Sequence, residues 1–235
     1  PDLPTGAFLS KKFSIPFHVT LRGMEAFHQQ DSGLRKHIVA HYLRQARHVI
    51  SLSVEMAETA NKLAATGNKT TVVRNGVATD KFYFVDQTVC RNELGLAQDE
   101  KIIIGVGALI YRKGFDLVIE ALNSIVSQPG LVNTKFYILG AQGAEGDYRK
   151  DLYELVERRN LSEHVVFVGA IANKDLINWY NAADVFCLSS RGEGSPNVLT
   201  EALACGVPAV ATKVGSVPEI MASEENLGCC IDSEN

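Results

Sequence analysis

Two glutamates, Glu193 and Glu201, stand eight positions apart in the stretch RGEGSPNVLTE, directly after the apolar run ADVFCLSS. Gly192 and Gly194 bracket the first glutamate, and Ser195 and Pro196 follow. Serine caps a helix start and proline fits the first helical position, where its missing N–H costs nothing. Gly206, two residues before Pro208, is an equally clear stop. The pattern predicts a helix over 196–205 whose first residues, Asn197, Val198 and Leu199, present unpaired N–H groups at the positive end of the dipole. Such an end, placed after a strand, suits an anion, and phosphate is the usual one. Glu201, on the second turn, is placed to accept two hydrogen bonds from a diol such as a ribose. Glu193, in the turn, is placed to take hydroxyls on the other side of the anion. A phosphate flanked by two hydroxyl-reading carboxylates describes a sugar nucleotide. The spacing leaves equal room for a solvated helix carrying incidental glutamates.

A second glycine turn points the same way. IIIGVGALIYRKGFD reads as a strand, a turn containing Gly107, then Arg112-Lys113-Gly114 opening a helix. Lys113 is a point charge and Arg112 a planar fork, and together they suit a diphosphate. Ordinary surface charge is the alternative reading of the same residues. The turn is not a dinucleotide fingerprint, because Ile110 stands where a third glycine is needed. The next strand ends FYILG, without the acidic residue that would hold an adenine-side ribose. Both facts count against a nicotinamide-dependent dehydrogenase.

These turns need a scaffold of parallel strands, and the chain supplies one. Apolar, β-branched runs alternate with amphipathic stretches, the pattern of an α/β protein. Strands are expected at 15–21, 48–51, 70–74, 101–107, 135–139, 165–168, 184–188 and 207–211. Helices are expected at 34–46, 54–65, 114–126, 148–159, 173–182, 196–205 and 217–221. The mixed, turn-rich segment around 75–98 interrupts the series and carries a short helix near 90–94. It divides a first domain (1–80) from a nucleotide-binding domain (99–235) through a linker (81–98).

Composition restricts the class further. Of 235 residues, 46% are apolar and 21% charged, with a net charge of -4, as in ordinary soluble globular proteins. The acidic balance argues against nucleic acid as a partner. No apolar run approaches the roughly 20 residues needed to span a bilayer. The five cysteines lack metal-like spacing and read as reduced core thiols, which implies a cytoplasmic location.

With both turns placed, the sequence is similar to the retaining glycosyltransferases of the GT-B fold in glycosyltransferase family 4, also called group 1. VRNGVATDKF resembles that family's linker, and VGALIYRKGFDLVIEAL its phosphate loop. VVFVGAIANKDLINWYNAADVFCLSS and GEGSPNVLTEALACGVPAVATKVGSVPEI resemble its most diagnostic block, with the paired glutamates. IPFHVTLRGMEAF resembles the end of its acceptor domain. The resemblance implies two Rossmann-like domains with parallel sheets, the first incomplete and the second truncated at its end.

It implies transfer of a sugar from a nucleoside diphosphate sugar to a hydroxyl, in synthesis of cell-surface polysaccharide or lipopolysaccharide. By motif position, Glu201 reads the donor ribose and Glu193 the sugar hydroxyls. Gly194, Ser195, Pro196, Asn197, Val198 and Leu199 give backbone contacts, Lys113 and Arg112 hold the diphosphate beside Gly107, and Gly169, Ala170 and Ile171 flank the base. Arg22 and Gly23 fall on the acceptor side. Two positions depart from the family pattern. Ala108 replaces an arginine, a charge that Arg112 supplies from the other end of the turn. Arg22 replaces a histidine. Those departures motivate an alternative, a non-catalytic sugar-nucleotide-binding subunit of a glycan-assembly complex. No cofactor or metal is implied. The acceptor would be a glycan or lipid-linked glycan, with peripheral contact at the cytoplasmic membrane.

Overall fold

The computed structural model describes residues 2–23, 33–222 and 227–232; residues 24–27, part of the acceptor-domain resemblance, lie outside them. The chain divides into two compact units. The first contains the described residues up to Asn75 together with Gly192–Pro196 and Val214–Glu219. The second contains the rest, beginning at Gly76.

In the first unit the order is α1 (Leu3–Phe13), β1 (His18–Leu21), α2 (Gly33–Gln45), β2 (His48–Ser51), α3 (Val54–Ala64) and β3 (Thr70–Val72). The three strands form a parallel sheet in the order β1-β2-β3, with Val19 beside Val49. Val19 and Val49 pack with Leu43, Met56 and Ala60 as a small core. Ser53 caps α3 by accepting from the Met56 N–H at 3.1 Å. Lys69 donates to the carbonyls of Leu43, Arg44 and Ala46 at 2.7–3.0 Å, satisfying the open end of α2 with a cation where the dipole favours one.

The second unit runs α4 (Gln87–Leu94), β4 (Lys101–Val106), α5 (Phe115–Val126), β5 (Thr134–Leu139), α6 (Arg149–Arg158), β6 (Val165–Gly169), α7 (Leu176–Ala182), β7 (Val185–Leu188), α8 (Asn197–Ala204) and β8 (Ala209–Thr212). Helix α9 (Val217–Met221) starts in the Val214–Glu219 stretch of the first unit, and β9 (Gly228–Ile231) completes the second unit's sheet. All six strands are parallel in the order β6-β5-β4-β7-β8-β9. Phe136 and Ile138 face α5 and α6 through Phe115, Ile119, Leu122 and Leu152. The opposite face carries α7, where Trp179 meets Tyr137 and Tyr180 meets Phe186. An α/β protein of parallel sheets is thus what the alternating pattern produces.

All eight expected strands form, β2 with the expected bounds and the others with shifted ends. β1 starts at His18 rather than 15, since Pro16 has no N–H for a ladder. The helix expected at 173–182 opens as a short 3-10 turn, Asn173–Asp175, before α7 begins. Helix α1 and strand β9 were not expected. All five thiols are free, but Cys229 is exposed rather than in the core.

Helix α4 is tied to the sheet by one buried cation. Arg91, 3% exposed, donates to the carbonyls of Ala182, Gln98 and Glu100 and to Asp184 Oδ2 at 2.8–3.0 Å. Asp184 Oδ2 also accepts from the Ile102 N–H at 2.7 Å. Arg91→Met removes the guanidinium from three carbonyls and from a partly buried carboxylate that keeps the Ile102 N–H as a donor. We expect a loss of about 3 kcal/mol in urea unfolding, at the low end for breaking a buried pair because Asp184 is partly exposed.

Candidate functional site

The strand order of the second unit reverses between β4 and β7. In open parallel sheets the crevice beyond the carboxyl ends at such a reversal is where ligands bind. The turn following β4 carries the predicted cations, and the segment following β7 carries the paired glutamates. Of the two glutamates, Glu201 belongs to this unit and Glu193 to the first.

The floor of the edge is made of closely approaching backbone. The Gly107 N–H donates to the Leu139 carbonyl at 2.9 Å, and the Gly140 N–H to the Gly169 carbonyl at 2.8 Å. A side chain at 140 would meet the Gly107 carbonyl oxygen at 1.8 Å. The Lys113 side chain lies over Gly107, where an added methyl would sit 3.1 Å from Lys113 Cε. Ala170 is exposed and Ile171 half-buried just beyond β6.

The turn after β4 is lashed to the end of β7. Residues Tyr111–Lys113 make one 3-10 turn that ends at Gly114 with φ +65°. A methyl at Gly114 would lie 2.0 Å from the Ser189 carbonyl oxygen, so the two backbones touch. Ser189 Oγ donates to the Lys113 carbonyl at 3.0 Å, and the Arg191 N–H to the Arg112 carbonyl at 2.8 Å. The Arg191 guanidinium grips Asp116 with two bonds of 2.9 and 2.6 Å and donates to the Tyr111 carbonyl at 2.8 Å. It also stacks on the Tyr111 ring at 4.0 Å. Arg112 is engaged differently from Lys113: its fork grips Glu145 at 2.8 and 2.6 Å.

Glu201 lies on α8, half-buried, and its Oε2 accepts from the Tyr180 hydroxyl at 3.0 Å. Burial pushes its carboxyl above the usual range, and the Tyr180 bond opposes that shift. Burial likewise raises the Tyr180 hydroxyl, so it stays a donor at any physiological pH. Leu199 is fully buried on the same helix, Val198 half-buried and Asn197 exposed.

The helix begins at Asn197, not Pro196, and Ser195 does not cap it. Ser195 Oγ is buried without a hydrogen-bond partner among the described residues. The residues before the helix belong to the first unit, which explains the difference. There Gly194 presses on Arg22: an added methyl would meet the Arg22 carbonyl oxygen at 2.6 Å and the Met56 methyl at 3.2 Å. The Gly194 carbonyl accepts from the Ser216 N–H at 3.0 Å, and the Ser195 carbonyl from Asn75 Nδ2 at 3.4 Å. Two glutamates fasten the neighbouring turn to α3. Glu55 accepts from the Gly215 N–H at 2.9 Å, and Glu219 from the Val54 N–H at 2.7 Å. Glu193 and Pro196 share this unit, and Arg22 and Gly23 line an open groove of about 450 Å³ along β1 within it. Among the described residues no three His, Cys, Asp or Glu side chains gather as metal ligands.

Sequence reasoning missed Tyr180, Arg191, Asp116, Glu55 and Glu219. Arg191 and Asp116 each adjoin a glycine turn, which was the available signal. The pairing of Glu201 with Tyr180, 21 positions away, has no local signature.

A family model described as Glycosyl transferases group 1 matches residues 86–235. The chain belongs to that family. It is 30% identical over 80% of its length to a D-inositol 3-phosphate glycosyltransferase of Segniliparus rotundus, of which it covers 41%. It is 28% identical over 96% of its length to the putative teichuronic acid biosynthesis glycosyltransferase TuaC of Bacillus subtilis, of which it covers 54%. The chain thus spans about half the length of the curated relatives it matches. Its fold matches that of Anabaena HepE, solved in complex with UDP, with a TM-score of 0.87 at 24% identity over 99% of this chain and 63% of the other. The architecture is accordingly that of the GT-B glycosyltransferases.

Two outcomes follow from the geometry of this group 1 chain. Gly114→Ala combines a left-handed backbone with a backbone clash, so the melting temperature should fall by several degrees. Glu201→Gln should act in the opposite direction. Because burial raises the folded carboxyl above its unfolded value, ionised Glu201 costs stability at neutral pH, and that cost fades as pH falls through the raised value. The variant should melt higher than wild type at pH 7, and the gain should shrink on acidification, as measured by calorimetry at stepped pH.

Proposed function

We propose that the whole protein is a retaining glycosyltransferase of family 4 that moves a sugar from a nucleoside diphosphate sugar to a hydroxyl acceptor. The observation that carries this reading is the half-buried Glu201 carboxylate. It sits on the helix that follows β7, at the reversal of strand order, and is already held by one hydrogen-bond donor. An ionised carboxylate there has acceptor capacity to spare for a ribose diol. The UDP named for Anabaena HepE supports a nucleoside diphosphate as the donor's leaving part.

The roles follow from the side chains. Lys113, lying over Gly107, neutralises charge developing on the departing diphosphate, assisted by the N–H groups of Asn197, Val198 and Leu199. Arg112, paired with Glu145, holds the shape of the turn and lends the diphosphate a more distant positive charge. Glu193 takes hydroxyls of the transferred sugar, with Gly194, Ser195 and Pro196 supplying backbone close to it. Gly169, Ala170 and Ile171 border the base. Arg22 and Gly23 serve the acceptor. The bond from the anomeric carbon to the diphosphate oxygen breaks. The acceptor oxygen bonds the same carbon on the same face, and its proton passes to the departing phosphate oxygen. No metal or cofactor enters this scheme.

TuaC is named for teichuronic acid biosynthesis, which favours a cell-surface glycan or lipid-linked acceptor for this protein too. A cytoplasmic protein meeting such an acceptor would touch the membrane peripherally; among the described residues no helix is long and apolar enough to cross one.

The test is equilibrium binding of UDP, GDP and ADP to the full-length protein. Wild type should bind at least one of them, and Glu201→Ala should lose tenfold or more in affinity, about 1.5–3 kcal/mol for bonds to a charged group. Unchanged affinity rejects the ribose role. Release of free nucleoside diphosphate from a donor sugar separates the enzyme from a non-catalytic binding subunit, which would release none.

A further inference from the structure

We infer that Tyr180 is a positioning residue for the donor ribose, fixing the carboxylate of Glu201 in the orientation that reads the diol; this rests on the ribose role proposed for Glu201. The two residues belong to different helices, α7 and α8, of the same unit. The Tyr180 hydroxyl donates to Glu201 Oε2 at 3.0 Å.

Three observations raise this contact above a tyrosine finding a convenient acceptor. First, the tyrosine is rigid. Its ring is fully buried and wedged edge-on between Phe82 and Phe186, each with ring centroids 5.9 Å away. The hydroxyl therefore has one reachable position, and a donor that cannot move can aim what it binds. Second, the bond is one-sided. Tyr180 engages Oε2, while Oε1 makes no hydrogen bond among the described residues. A carboxylate has about four acceptor directions, so a single phenolic donor fixes its plane and leaves Oε1, with the second direction of Oε2, for two vicinal hydroxyls. Third, the charge needs support. Glu201 is desolvated, which favours its neutral form, and a neutral carboxyl would present a proton where an acceptor is required.

Without the hydroxyl the glutamate keeps its place on the helix but regains freedom about its terminal torsions. Its hydrogen bonds to a ligand then cost ordering entropy at the moment of binding. The loss should fall on the ribose hydroxyls alone, not on the base or the diphosphate.

The experiment compares UDP, GDP or ADP, whichever the full-length protein binds, with its 2′-deoxy analogue. Wild type should prefer the ribonucleotide by tenfold or more, and Glu201→Ala should abolish that preference. If Glu201→Ala keeps it, the ribose reading of Glu201 falls, and with it the role of Tyr180. Given that control, Tyr180→Phe should cut the preference at least threefold by weakening the ribonucleotide, with the 2′-deoxy affinity unchanged. A Tyr180→Phe protein with the full wild-type preference overturns the inference and leaves Glu201 standing. Phe82→Leu loosens the same packing without touching the hydroxyl. It should melt lower yet keep the preference. If it loses the preference as fully as Tyr180→Phe does, the effect belongs to packing and the positioning role is rejected.

Discussion

The six strands of the larger unit run in one direction, and much else about the candidate site depends on that constraint. Parallel strands bring every carboxyl end to the same edge, so each connection leaving that edge competes for one limited space. The chain resolves the crowding by removing side chains. Gly140 lies against the Gly107 carbonyl, Gly107 lies under the stem of Lys113, and Gly114 lies against the Ser189 carbonyl. Backbone touches backbone along this edge. The residues that look permissive in the sequence are spatially the most restricted.

Around that floor the molecule uses polar contacts as fasteners rather than as a surface. Arg191 couples the turn after β4 to the end of β7 through Asp116 and Tyr111, and Arg91 couples α4 to the opposite end of the same two strands through Asp184. Each guanidinium satisfies several acceptors at once, which is the geometry in which a planar fork outperforms a lysine. The two arginines therefore fix β4 and β7 at both ends, and those are the strands between which the order reverses.

Much of the scaffold was legible because hydrophobic periodicity reports it directly. All eight strands read from β-branched runs exist, and the helices between them follow apolar faces such as that of FDLVIEALNSIV. What escaped had weak or conflicting local signals. Helix α1, LPTGAFLSKKF, carries a glycine in its middle and leaves Phe8 and Phe13 exposed, so no apolar stripe marks it. Strand β9, GCCI, has four residues and opens on a glycine, and it exists because β8 offers a free edge. The Ser195 cap failed for a different reason. A good local capping sequence was overridden when the residues before the helix joined the first unit. The tyrosine that holds Glu201 was not legible, because a contact across 21 positions leaves no period to detect.

The first unit is assembled from three separate stretches of chain, and this bears on how the protein can be divided. The N-terminus of α3 is satisfied partly by Glu219, and the carboxylate of Glu55 by the amide of Gly215. Both partners arrive from more than 150 positions later in the sequence. A gene cut after Asn75 would not yield a self-sufficient piece. The upstream product would carry an unfulfilled helix start and an unpartnered acid, while the downstream product would carry two orphaned turns. Splitting, swapping or permuting this chain has to follow the spatial partition, which needs five breaks, instead of the linear one, which suggests a single break.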